Sequence, residues 1–108
     1  MSEPRAIVVL ITVGNRDEAA RIARYLVESR AAVCVQILPE MESVYWWDGK
    51  IESGSEFLLL AKTTQDKFEE LEAAVRNLHS YETPEIIALP VTAGSAPYLD
   101  WLFKNLSE

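Results

Sequence analysis

Apolar and polar residues change their spacing several times along this chain, and each change marks an element. Ala6-Ile7-Val8-Val9-Leu10-Ile11-Thr12-Val13 is apolar and β-branched at almost every position, the pattern of a central strand covered on both faces. Gly14 ends it. Asn15, with Glu18 three residues on, reads as a helix N-cap and its capping-box partner. Ala19, Ile22, Ala23, Leu26 and Val27 then recur at the spacing of one helix face, as far as about Ser29.

A period of two returns from about Ala32 to Tyr45. Val33, Val35 and Ile37 point to one face, and Cys34, Gln36 and Leu38 to the other. Pro39 interrupts this run and cannot donate to a ladder, so it predicts an edge strand or a bulge. Asp48-Gly49 stands between two strand-like runs and reads as a tight hairpin turn, whose two residues both take positive φ. The return strand closes on Glu56-Phe57-Leu58-Leu59-Leu60-Ala61-Lys62, apolar enough to be central. Thr63 or Thr64 is expected to cap a second helix, with Phe68, Leu71, Val75 and Leu78 facing in and Glu72 and Arg76 paired outside. A short strand, Glu85-Ile86-Ile87-Ala88-Leu89, stops at Pro90 and suits an edge. Gly94-Ser95-Ala96-Pro97 opens a last helix carrying Tyr98, Leu99, Trp101, Leu102 and Leu106, proline being well placed in a first turn.

The order β-α-β-β-α-β plus a terminal helix predicts one α+β domain over residues 1–108, a ferredoxin-like βαββαβ sandwich. It has an extended hairpin between its second and third strands. Sheet order 4-1-3-2 puts the two most apolar strands in the centre and the two proline-bearing strands at the edges.

The hairpin asks for a partner. With Asp48-Gly49 as a two-residue turn, Trp47 faces Lys50, Trp46 faces Ile51 and Tyr45 faces Glu52. Val44, Trp46 and Ile51 then share one side, and Tyr45 and Trp47 the other. At about 3.3 Å per residue, an arm of a dozen residues reaches roughly 40 Å, further than the helices extend. Aromatic side chains of this size bury about 150–250 Å² each when covered. The cover is expected to be further copies of the chain; the alternative is the C-terminal helix, with Tyr98 and Trp101, folded back over the tip.

Composition narrows the function. The chain is 49% apolar and 25% charged, and its 108 residues can bury a core without cross-links. A net charge of −7 argues against nucleic acid, whose binding depends on Lys and Arg neutralising phosphates. Cys34 is the only cysteine, so no intrachain disulfide forms. The run from Ala6 to Val13 is too short to span a bilayer, and Met1 to Arg5 lacks a basic leader; a cytoplasmic location with no membrane partner is expected. No glycine-rich phosphate loop, GxSxG or HExxH is present, and the chain is expected not to be an enzyme.

Few residues remain to carry chemistry. His79, the sole histidine, ends the second helix; there it caps the helix by facing its last carbonyls, binds a metal, or works as an acid–base group. Cys34, inside a strand, is either a small apolar filler or a reactive thiol or metal ligand. Tyr81, Glu82, Glu85 and Lys62 stand at strand ends beside the aromatic hairpin. They line either a cleft between subunits or a network of intersubunit ion pairs.

Four stretches resemble one family. Ala31 through Pro39, the hairpin tip Ser43-Val44-Tyr45-Trp46-Trp47-Asp48-Gly49-Lys50-Ile51-Glu52, the segment Leu78-His79-Ser80-Tyr81-Glu82-Thr83-Pro84-Glu85 through Pro90, and the closing helix Tyr98-Leu99-Asp100-Trp101-Leu102 are similar to the CutA divalent-cation tolerance proteins. The similarity runs from about Ile7 to Leu106. It implies a ferredoxin-like homotrimer joined through interlocking hairpins, with Tyr45, Trp46, Trp47, Lys62, Tyr81, Glu82, Glu85 and Trp101 in contacts or clefts between subunits. It also implies a part in tolerance to divalent cations, with copper or another divalent cation bound, and no agreed enzymatic activity. Some members have proposed copper ligands at a first-strand cysteine and two adjacent histidines; here those positions are Ile11, Leu78 and His79. His79 and Cys34 are therefore the candidate metal ligands. The likeness in architecture to PII signalling proteins implies an alternative, a trimeric module binding a small anionic metabolite between subunits near Lys62.

Overall fold

The computed structural model describes residues 5–107; the start of the leader region read above, Met1 to Pro4, lies outside them. Its elements are β1 (Ala6–Val13), α1 (Arg16–Glu28), β2 (Cys34–Trp47), β3 (Lys50–Thr64), α2 (Phe68–Leu78), β4 (Ile86–Pro90) and α3 (Ala96–Leu106). The four strands form one antiparallel sheet in the order β2-β3-β1-β4, as expected, with the two most apolar strands inside.

One face of the sheet carries the core. Val9, Ile11 and Val13 of β1 and Leu59 and Ala61 of β3 pack under Ile22 and Leu26 of α1 and Leu71 and Val75 of α2, all completely buried. Fully covering side chains of this size is worth about 1.5–3 kcal/mol each, which is what holds the two helices in place. Asn15 caps α1 as predicted, its side chain accepting from the Glu18 N–H at 2.8 Å. Glu72 and Arg76 pair across one turn on the outer face of α2.

Thr63 and Thr64 do not cap α2. Pairing with β1 continues to Ala6 opposite Thr64, so both threonines stay in β3 and a short 3₁₀ turn, Gln65–Lys67, leads into the helix. Thr63 is buried, and its hydroxyl donates to the Ala31 carbonyl at 2.7 Å, tying β3 to the loop after α1.

The opposite face is covered only at one end. There α3 seats Leu102 and Leu106 against Ala6, and the Tyr98 hydroxyl lies 3.8 Å from the Cys34 sulfur. The C-terminal helix therefore does not reach the hairpin tip. Ile87 and Leu89 on β4 stay half exposed on this face.

β2 and β3 run on past the sheet as a two-stranded arm, and the molecule measures 46 Å along its longest axis against 26 and 25 Å across. Its tip has the predicted register: Trp47 opposite Lys50, Trp46 opposite Ile51, Tyr45 opposite Glu52. Asp48 and Gly49 both have positive φ, at 54° and 78°, as a primed turn demands. The predicted bulge falls at Pro39, where Pro39 and Glu40 together oppose Phe57, between the pairs Leu38–Leu58 and Met41–Glu56. Before the bulge, the even-numbered residues of β2 face away from α1 and α2; beyond it, the odd-numbered ones do. Met41, Ser43, Tyr45 and Trp47 thus share a side with Leu58 and Glu56.

Candidate functional site

That change of phase builds a groove. Leu10 and Thr12 of β1 and Leu58 of β3 make its floor, Met41, Ser43, Tyr45 and Trp47 one wall, and the loop from Tyr81 to Glu85 the other. Its volume is about 960 Å³. Three carboxylates reach its lining, Glu56, Glu82 and Glu85, and no Lys or Arg does.

Tyr81 is the hinge of the site. Its hydroxyl donates to Glu56 Oε2 at 2.9 Å, joining the loop before β4 to the root of the arm. Gly14 lies directly beside it: a Cβ at that position would sit 2.9 Å from the hydroxyl, so the missing side chain is what admits the ring. Burial first, and then the bond to the Glu56 carboxylate, push the phenol up to about 12 from its ordinary 10.0. A raised folded value means that the neutral phenol's contribution to stability is complete below pH 10 and is lost as pH climbs through 12. In an ultraviolet titration of the tyrosines, Tyr81→Phe is expected to delete one transition near pH 12, and Glu56→Gln to move that transition down. A Glu56→Gln curve identical to that of the parent would contradict the assignment.

Behind Tyr81 is a buried polar cluster that fixes the loop. The His79 ring is not turned to the end of α2. Its Nε2 donates to the Thr12 carbonyl at 2.7 Å, and its Nδ1 accepts the Tyr81 N–H at 3.0 Å. The backbone N–H of His79, bonded to the Val75 carbonyl, makes the helix-end bond instead. Glu18, only 2% exposed, accepts the Ser80 N–H at 2.6 Å and the Ser80 hydroxyl at 2.9 Å, with Asn15 Nδ2 further off at 3.4 Å. The capping-box carboxylate expected to bond back to its own N-cap backbone reaches across to the α2–β4 loop instead.

The residues singled out from sequence divide among three places. Tyr45, Trp47, Tyr81, Glu82 and Glu85 meet in the groove. Trp46 points to the other side of the arm with Val44 and Ile51. Trp101 stacks with Tyr98 on α3, ring centroids 5.5 Å apart, and faces a separate hollow between α1 and α3. Lys62 is not in the groove; it donates to Gln36 on the neighbouring strand, opposite Cys34. Cys34 and His79 are not brought together: Lys62, the partner of Cys34, pairs with Val8, whereas His79 bonds Thr12, four residues or about 13 Å further along β1. Among the described residues, no three His, Cys, Asp or Glu side chains converge to hold a metal ion. Sequence reasoning missed Glu56 and Glu18. Counting outward from the Asp48-Gly49 turn would have placed Glu56 opposite Met41, on the same side of the arm as Tyr45, had the bulge been set beyond it; nothing local marks Glu18 as a buried acceptor.

A small α+β domain with a four-stranded antiparallel sheet, three helices and a long two-stranded arm is a defined class, and the comparisons place this chain within it. Residues 7–105 match the profile of the CutA1 divalent ion tolerance proteins. The chain is 49% identical over 98 residues to the divalent-cation tolerance protein CutA of Thermus thermophilus, covering 91% of this chain and 95% of that one. It is also 49% identical over 100 residues to a chloroplastic CutA of Arabidopsis thaliana, covering 93% of this chain but spanning only 54% of the plant protein. Among solved structures, CutA1 of a psychrotrophic Shewanella superposes with a TM-score of 0.93 at 36% identity, over 99% of this chain and 100% of that one. CutA1 of Thermus thermophilus superposes with 0.91 at 48% identity, over 93% and 97% of the two chains. The chain belongs to the CutA1 family.

Proposed function

We propose that this protein is a ferredoxin-like subunit of a cytoplasmic homotrimer that acts in tolerance to divalent cations by binding rather than by catalysis. One observation carries the assembly. Trp46 and Ile51, on the side of the arm away from the groove, are 73% and 65% exposed; Val44, which also borders the groove, is 67% exposed, and α3 sits at the far end of the sheet. An apolar ribbon of this size is covered most economically by sister copies, which also protect its unpaired edge. The half-exposed Ile87 and Leu89 offer such a contact a second surface.

The tolerance role is supported by the names of the relatives. His79, the side chain best suited to proton transfer, spends both ring nitrogens on the Thr12 carbonyl and the Tyr81 amide, which favours a structural part for it. Cation binding then falls to the carboxylates, which outnumber the basic groups, and copper is the ion to try first. The anionic-metabolite alternative loses support, because Lys62 lies away from the groove and the groove wall is acidic.

Light scattering on the purified protein tests the assembly: a particle three times the 12.2 kDa chain is expected, and a 12.2 kDa particle would overturn it. Calorimetric titration of copper and zinc into the parent, His79→Ala and Cys34→Ser proteins tests the ligands. Saturable binding that survives both substitutions is expected, and its loss in either would return that residue to the metal site.

A further inference from the structure

A second hollow, at the end of the molecule away from the arm tip, takes no part in the proposed assembly. It lies between the last turn of α1 and α3, beside the lead-in to β2, on the sheet edge opposite Ile87 and Leu89. Val27, Val33 and Trp101 give it an apolar surface, and Glu28, Arg30 and Asn105 a polar one. Its volume is about 270 Å³, just below the range of pockets for drug-sized molecules.

Arg30 is held there at a cost to the backbone. It follows the C-cap of α1 with φ at 62°, where glycine is usual, and its N–H bonds the Val27 carbonyl at 3.1 Å. A side chain kept in the left-handed region has a use. One Arg30 N–H donates to the Asn105 carbonyl at 2.5 Å, which fixes the guanidinium against the end of α3. Among the described residues that is the only bond of its five side-chain donors, so the others are available to an anion. Glu28 brings the opposite charge to the same hollow. Its pairing with Arg24, at 3.8 Å and well exposed, is weak enough to yield. α1 has no basic residue in its last turn, so its negative end adds to the pull of Glu28 on an ammonium group. Asn105 spends its side-chain N–H on the Trp101 carbonyl at 2.9 Å and keeps its side-chain oxygen as an acceptor.

Glu28 repels a simple carboxylic acid, and Arg30 repels a simple amine. A ligand carrying both charges on one carbon, with an apolar tail, satisfies all three surfaces. We infer that this hollow binds an α-amino acid with an apolar side chain. The carboxylate meets Arg30, the ammonium meets Glu28 and the Asn105 oxygen, and the side chain lies over Val27, Val33 and the Trp101 indole.

The test is calorimetric titration of L-leucine into the full chain, with leucinamide, 4-methylpentanoate and glycine beside it. Saturable leucine binding at one site per chain is expected below about 10 mM. Leucinamide lacks the carboxylate and 4-methylpentanoate the ammonium, so each should bind at least about tenfold more weakly. Glycine, without a side chain to cover the apolar surface, should also lose about tenfold. Arg30→Gly suits the local backbone and should keep the circular dichroism of the parent while weakening leucine by about tenfold or more. Arg76→Gln, an equal loss of charge on the outer face of α2, should change it by less than about twofold. Lack of saturation, leucinamide or 4-methylpentanoate binding as tightly as leucine, or unchanged affinity in Arg30→Gly each overturns the inference. A trimer that ignores leucine refutes only this ligand; a monomer that binds it refutes only the assembly.

Discussion

Trp46→Asp combined with Ile51→Lys is expected to convert the proposed trimer to folded single chains. The two residues are cross-strand partners on the side of the arm that faces away from the groove, and both stand clear of their own subunit. Covering a side chain of this kind contributes about 1.5–3 kcal/mol, so with Val44 the patch is worth about 5 kcal/mol per copy in a sister contact. Replacing two of the three with opposite charges removes most of that and adds the cost of burying ions. The new pair still faces across the ribbon, where opposite charges are tolerated, so the hairpin itself keeps its register. Light scattering should report 12.2 kDa particles, with unchanged far-ultraviolet circular dichroism. An unaltered mass would mean that sister copies do not meet on this side of the arm.

Glu18→Ala should be the most damaging single change outside the apolar core. It removes the acceptor of the Ser80 N–H and hydroxyl; Glu18 itself is 2% exposed, while Ser80 lies at the surface. Hydrogen bonds to a charged acceptor contribute about 1.5–3 kcal/mol each, and the exposed Ser80 recovers part of that from water. A loss of about 3 kcal/mol is expected in urea denaturation at fixed protein concentration, against about 1 kcal/mol for Ser80→Ala, which removes one bond and keeps the other. The damage should also spread, because Ser80 lies between His79 and Tyr81, and the loop that carries Tyr81 to Glu56 depends on it. A loss under about 0.5 kcal/mol would show that the carboxylate is a passenger.

What could be read from the chain was whatever repeats or punctuates. Unbroken apolarity separated β1 and the end of β3 from the proline-bearing edges, and that ordering alone gave the arrangement of the sheet. Asp48-Gly49 set the register of the arm because a two-residue turn leaves no freedom over which residues face each other. What escaped were side chains whose direction depends on distant packing. Thr63 reads as a helix cap because it precedes a helical pattern, yet it lies in a strand because β1 is long enough to pair with it. Glu18 satisfies a cap motif locally, and its carboxylate is then claimed by Ser80, sixty-two residues away. Lys62 was grouped with Tyr81 and Glu85 because all three stand near element ends; β3 and β4 run the same way, but Lys62 lies near the finish of β3 whereas Tyr81 and Glu85 precede the start of β4, so the register puts Lys62 at the far end of the sheet.

The extra residue at Pro39 and Glu40 brings two clocks into step. Val35 and Ile37 set the phase of β2 from the core, Asp48-Gly49 sets it again from the turn, and the two disagree by one residue. The bulge absorbs the difference, so which aromatics line the groove and which lie on the other side of the arm is decided by parity. An arm lengthened by two residues in each strand would keep both assignments. A lone insertion between Met41 and Trp47 would need a second bulge, or it would turn Trp46 into the groove and Tyr45 and Trp47 to the opposite side of the arm.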